Sequence, residues 1–170
     1  MRVALAAVVP LVAALLQGSV VPFVAIAGSL PNLVILAAAS WAVAAGAREA
    51  VWWAFLGGIA ADLLSGGPLG ATALAALLPV AAVGLLDDPL RPRSVVSAAI
   101  LVGVASLAGA VLYVLIIAVA GTPIGDLPLL LASAVSTGIY NGVLAFVAYP
   151  VARLLRRSTE KQAGFSRSAW

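Results

Sequence analysis

The chain predicts an all-α, polytopic membrane protein, a bundle of six transmembrane helices, and three features predict it. Hydrophobic residues make up 64% of the 170 residues. Charged residues make up only 9%, about a third of the usual soluble share. A soluble surface needs charge, so this apolar excess belongs in lipid. The third feature is placement: the nine basic residues border the apolar runs instead of interrupting them.

The elements follow in chain order. Arg2 precedes an apolar run, Val3 to Leu16, that resembles a secretory signal. Gln17-Gly18-Ser19 then leads into more apolar sequence with no soluble domain after it, so a retained first helix is expected. Residues 3–47 carry no charge, which leaves room for two spans of about 20 residues each. Pro22 and Gly28-Ser29-Leu30-Pro31-Asn32 mark the break between them, and Arg48-Glu49 is expected to end the second helix. Residues 50–86 hold one charge, Asp62, and break at Ser65-Gly66-Gly67-Pro68, giving two short spans. Asp87-Asp88-Pro89-Leu90-Arg91-Pro92-Arg93 reads as a stiff polar loop. A fifth helix fits between Ser94 and Gly121-Thr122-Pro123, and a sixth between Leu127 and Ala152. The domain therefore spans 1–155, with a basic cytoplasmic tail over 156–170.

Charge placement tests the count. With both termini inside, the inner segments hold Arg2, Arg48, Arg91, Arg93, Arg153, Arg156, Arg157, Lys161 and Arg167, which is every basic residue. The outer loops, near 22–31, 65–70 and 121–126, hold none. This satisfies the positive-inside rule, whereas a five-helix arrangement would split the set. A net charge of +3 therefore reads as a topology signal and gives no support to a nucleic-acid surface.

The chain has no Cys and no His. Thiolate nucleophiles, disulfides, the usual zinc sites and His-based acid–base catalysis are excluded with them. No cofactor and no metal is expected. A membrane aspartyl protease needs two carboxylates meeting in the bilayer, and Asp126 belongs to an outer loop.

Asp62 stands out, because a carboxylate inside an apolar span is costly and often functional. It lies near a helix C-terminus, where the dipole disfavours an anion. The turn to Gly70 leads directly into the next helix, whose free N–H groups attract anions. Backbone N–H groups between Pro68 and Thr72 are the expected partners, closing a hairpin; a solute or proton site and a partner contact are the alternatives. Gly66-Gly67-Pro68 lacks a following Gly-Lys-Ser/Thr, so it is no phosphate loop.

Gly138 and Gly142, like Ala54 and Gly58, are small pairs four residues apart. They permit close helix approach, inside the bundle or between two copies. Ser133, Thr137 and Asn141 form a polar stripe expected to face protein, with Asn141 bonding across helices. Arg153, Arg156 and Arg157 share one helix face by spacing. They suit anionic lipid headgroups or a cytoplasmic docking point.

Three stretches together resemble a known family. They are Pro31-Asn32-Leu33-Val34-Ile35-Leu36, Gly57 through Gly70 (GGIAADLLSGGPLG), and Tyr140-Asn141-Gly142 followed by Pro150 and Arg153 to Arg157. In order and spacing they resemble the MreD family of rod-shape-determining membrane proteins, over nearly the whole chain. The most specific part runs from Asp62 through Gly66 and Pro68 to Gly70. Asn32 departs from the family pattern, which commonly has Asp after the proline. The resemblance implies a non-enzymatic subunit of the bacterial cell-elongation machinery in the plasma membrane, both termini cytoplasmic. It implies that the chain binds the bitopic protein MreC, and through it links peptidoglycan synthases to MreB. The family is similar in fold to substrate-binding subunits of energy-coupling-factor vitamin transporters, which supplies the alternative function. A vitamin site needs several convergent polar groups, and the outer loops offer only Asn32, Ser65, Thr122 and Asp126 beyond Gly and Pro.

Overall fold

The computed structural model describes residues 2–24, 30–86 and 93–167, except the side chains of 2–5, 22, 24 and 160–167. Among these residues there are six α-helices: α1 (Arg2–Ser19), α2 (Leu33–Ala45), α3 (Ala47–Ser65), α4 (Ala71–Leu86), α5 (Val95–Val119) and α6 (Leu127–Arg167). A short 3-10 turn, Val21–Val24, follows α1. The expectations placed on Gly28, Ser29, Arg91 and the rest of the 87–92 loop, and on the side chains of Arg2, Lys161 and Arg167, lie outside the described residues.

The helices alternate in direction. The end of α1, the start of α2, the end of α3 and the start of α4 meet at one end of the bundle, through Gln17–Leu33 and Asp62–Thr72 bonds. At the opposite end Gly84 of α4 packs on Ala47 of α3, and Tyr149 of α6 bonds to the Arg93 carbonyl just before α5. Arg48, Arg93, Arg153 and Arg156 all belong to this second end.

α2 is the centre, touching each of the other five helices. Ten of its 13 residues are buried, from Val34 to Ala44. A helix apolar all round is one that belongs inside. The core around it contains many small residues, among them Ala50 and Ala54 of α3, Ala76 of α4, Ala98 and Ala105 of α5, and Ala145 of α6, beside the larger Trp53 and Tyr149. Large apolar side chains point outward instead, among them Leu78, Ile100, Val104, Ile139 and Val147. α5 and the Leu127–Thr159 part of α6 are each long and apolar enough to cross a membrane.

One detail corrects the sequence reading, and two others bear on it. α2 does not end at Arg48-Glu49; it stops at Ala45, and those two residues lie in the first turn of α3. The hinge is Gly46, whose φ of 92° is open to glycine and strained for other residues. α6 continues as helix through 153–167. The small pairs sit at helix crossings inside the bundle, one of the two uses their spacing allowed. A Cβ on Gly138 would lie 3.1 Å from the Gly103 carbonyl of α5, and one on Gly142 would lie 3.4 Å from the Ala99 carbonyl.

Gly58 makes the closest of these approaches. A Cβ there would sit 2.4 Å from Ala73 Cα and 2.6 Å from Ala73 N, both backbone atoms of α4. Gly58→Ala must push α3 and α4 apart, at a cost of about 1–3 kcal/mol. A lowered melting temperature of the detergent-purified variant is expected; an unchanged one would show that the crossing has slack.

Candidate functional site

Four buried polar residues, Asp62, Ser106, Thr137 and Asn141, gather where α2 and α4 begin. The α3–α4 turn comes first. Gly66 ends α3 in the left-handed conformation (φ 69°) and Gly70 opens α4 at φ 89°. Glycine reaches such angles without strain, so the reversal takes five residues. The close Gly58–Ala73 crossing then brings Asp62, one turn further along α3, against the α4 N-terminus. Asp62 is 2% exposed. Its Oδ2 accepts from Gly70 N at 2.9 Å, and its Oδ1 from Thr72 N at 3.0 Å. Ser65 Oγ donates to the Asp62 carbonyl at 3.2 Å and accepts from Gly67 N. The carboxylate thus occupies two N–H groups that no helical carbonyl can reach, and its charge meets the positive end of the α4 dipole.

The second tie holds the start of α2. With 13 residues α2 is about 20 Å long, short of a hydrocarbon layer of about 30 Å. The irregular chain before it must therefore satisfy its polar groups inside protein. Asn32 caps α2, its Oδ1 accepting from Ile35 N at 3.0 Å. Asn141 of α6 clamps Asn32 from outside: its Oδ1 accepts from Asn32 N at 3.2 Å, and its Nδ2 donates to Asn32 O at 2.8 Å. The same Nδ2 donates to Ser106 Oγ of α5 at 2.9 Å. Gln17 of α1 accepts from Leu33 N at 2.6 Å and donates to the Pro31 carbonyl at 3.1 Å. Thr137 Oγ1 donates to the Leu30 carbonyl at 3.0 Å. Side chains of α1 and α6, with Ser106 of α5 bracing Asn141, thus hold three residues of irregular chain.

Asp62 and Asn141 thus each bond to backbone at the start of another helix, α4 and α2. Thr137 and Asn141 of the polar stripe are buried, and Ser133 is half-buried. The arginine trio separates. Arg156 turns inward and donates to the Ala44 carbonyl at the α2 C-terminus, where a cation opposes the dipole favourably. Arg153 stacks 5.6 Å from the centroid of Tyr149, and Arg157 is exposed. Near the same end Trp41 stacks on Trp53 at 4.4 Å and donates to Glu49 Oε2 at 3.3 Å.

A pocket of about 240 Å³ opens beside the two ties, its polar lining made by Gln17, Asn32, Ser65, Thr72 and Tyr113. A smaller hollow of about 110 Å³ shares Asn32, Thr72 and Tyr113 with it. Asn32 and Ser65 are the two outer-loop polar groups expected here; Thr122 and Asp126 are exposed and take no part. Gln17, Thr72, Ser106 and Tyr113 were missed. Gln17 carried a signal, as an amide within an apolar run. A separate apolar groove of about 350 Å³ lies between α5 and α6, over Gly103, Gly138 and Gly142.

Fold and site together define the class: a helical membrane bundle in which Asp62, Thr137 and Asn141 are spent on joining helix ends. No curated protein and no solved structure matches the chain. The family model of the rod shape-determining protein MreD matches residues 1–159, and the chain belongs to that family.

Proposed function

We propose that this chain is a non-enzymatic, six-span subunit of the machinery that sets rod shape, binding the bitopic protein MreC and through it coupling peptidoglycan synthesis to MreB. The observation that carries this reading is the state of Asp62. The carboxylate buried in the bundle is engaged by Gly70 and Thr72 backbone N–H groups, which makes it a brace for the fold. The family supports the role in cell shape. Co-purification with the MreC of the same organism tests the partner; a complex that survives size exclusion is expected, and its absence in lipid nanodiscs would refute direct binding.

Topology has its own test. The chain contains no Cys, so single cysteines report cleanly. Cysteines at Ser94 and Thr122, which flank α5, are expected to label from the cytoplasmic and the outer side respectively. Labelling of both from one side would overturn the six-span arrangement.

The pocket beside Gln17, Asn32 and Tyr113 favours a second reading, a solute-binding subunit like those of vitamin transporters. Mass spectrometry of extracts from the purified protein separates the two. No stoichiometric vitamin is expected; recovery of one would favour the transporter role.

A further inference from the structure

We propose that the face of α6 around Arg153 and Arg157 is a binding site for an anionic phospholipid, with the phosphate between the two guanidinium groups and an acyl chain along the helix above them. This goes beyond the role in cell shape and rests on the transmembrane reading given there.

The site is built from an abrupt change of surface. Val147, Val151 and Leu154 are 68%, 47% and 61% exposed, a continuous apolar strip on α6. The next turn brings Arg157, also exposed, with Arg153 half-buried beside it. An apolar strip that ends beside Arg157, with Arg153 further round the same helix, matches the shape of a lipid, tail first and phosphate last. A free phosphate or an acidic peptide would leave the strip unused.

Arg153 is held ready for this. Its guanidinium lies over Tyr149, 5.6 Å from the ring centroid, and Tyr149 is itself buried, its hydroxyl donating to the Arg93 carbonyl at 3.2 Å. A cation–π contact of this length leaves the guanidinium N–H groups able to bond a phosphate. Arg157 follows four residues later on the same helix side, where like charges repel and call for an anion. Arg156, between them in sequence, is turned away to the Ala44 carbonyl of α2. Glu49, the acidic side chain described at this end, is engaged by Trp41. Arg48, exposed on the first turn of α3, lies at the same end and serves as a control for general basic charge.

Native mass spectrometry of the full chain, offered equal phosphatidylglycerol and phosphatidylcholine, tests the site. Retention of phosphatidylglycerol is expected to exceed that of phosphatidylcholine by about tenfold or more, as two arginines near an anionic headgroup imply. Arg153→Gln with Arg157→Gln is expected to abolish the preference, Arg157→Gln alone to weaken it, and Arg48→Gln to leave it intact. Arg157 is exposed, so its single substitution keeps the comparison valid if the double variant folds poorly. Equal retention of both lipids by the unchanged chain would overturn the proposal. So would an unaltered preference in the Arg157→Gln variant, equal loss on Arg48→Gln, or displacement of the lipid by millimolar inorganic phosphate. Opposite-side labelling at Ser94 and Thr122 alongside absent lipid preference would remove the lipid site while leaving the transmembrane reading in place.

Discussion

Replacing Asn141 by leucine is expected to abolish most folded protein. Asn141 is fully buried and makes three bonds, two to the backbone of Asn32 and one to Ser106. Leucine has the same branched arrangement of four side-chain heavy atoms, so no cavity opens, but its methyl groups are bulkier and overpacking adds to the loss of the bonds. The Asn32 N–H loses its partner, and its carbonyl keeps only Leu36 N. Each buried polar group left unpaired costs about 1–3 kcal/mol, so a total of roughly 3–5 kcal/mol is expected. That is a large part of the stability of a small domain. Asn141→Asp separates the contributions: it still accepts from the Asn32 N–H but presents oxygen to the Asn32 carbonyl, so it should also be severe. The measurement is monodisperse yield and melting temperature in detergent. A leucine variant within a few degrees of the unchanged chain would mean that Gln17 and Thr137 hold the α2 start without Asn141.

Asp62→Ala is expected to be the next most damaging change. It strips Gly70 N and Thr72 N of their acceptor at the start of α4. The bonds are charge-assisted and removed from water, which puts the loss at roughly 2–4 kcal/mol. Asp62→Asn retains one acceptor oxygen and should lose about half as much. This ordering distinguishes a brace from a proton-carrying site. If Asn and Ala destabilise equally little, while both abolish association with MreC, Asp62 is a partner contact and the cap is incidental.

The Asp62 tie was legible in the sequence because it is local. Its donors lie eight and ten residues away, across a turn whose glycines announce it. The Asn32 cap was less legible. Asn32 was noticed for its place after Pro31, while its bond to Ile35 N became evident only once Leu33 was placed as the first residue of α2. The expected end of α2 at Arg48-Glu49 failed because charge marks where a chain meets water, and here the helix stops at Ala45, before its Gly46 cap. The arginine trio was taken as one face because i, i+3 and i+4 spacing allows it. The neighbours of α6 decided otherwise: the Ala44 carbonyl drew Arg156 inward, and the Tyr149 ring took Arg153.

By itself the sequence determined the helical class, the number of helices, the hairpin at Asp62 and the gathering of basic residues toward one end. These depend on composition and on neighbours within about ten residues, where covalent geometry limits the choices. Only the tertiary structure decided that Asn141 clamps Asn32, 109 residues away, and that Arg156 caps α2 across 112. It also decided that Gly138 and Gly142 face Gly103, and that Gln17 reaches the Pro31–Leu33 chain. The physical reason is the uniformity of the apolar helices. Alanine, valine and leucine cover α2 on every side, so hydrophobicity does not fix its rotation or its neighbours. A few hydrogen bonds and glycine contacts fix them, and their partners meet only when the helices pack.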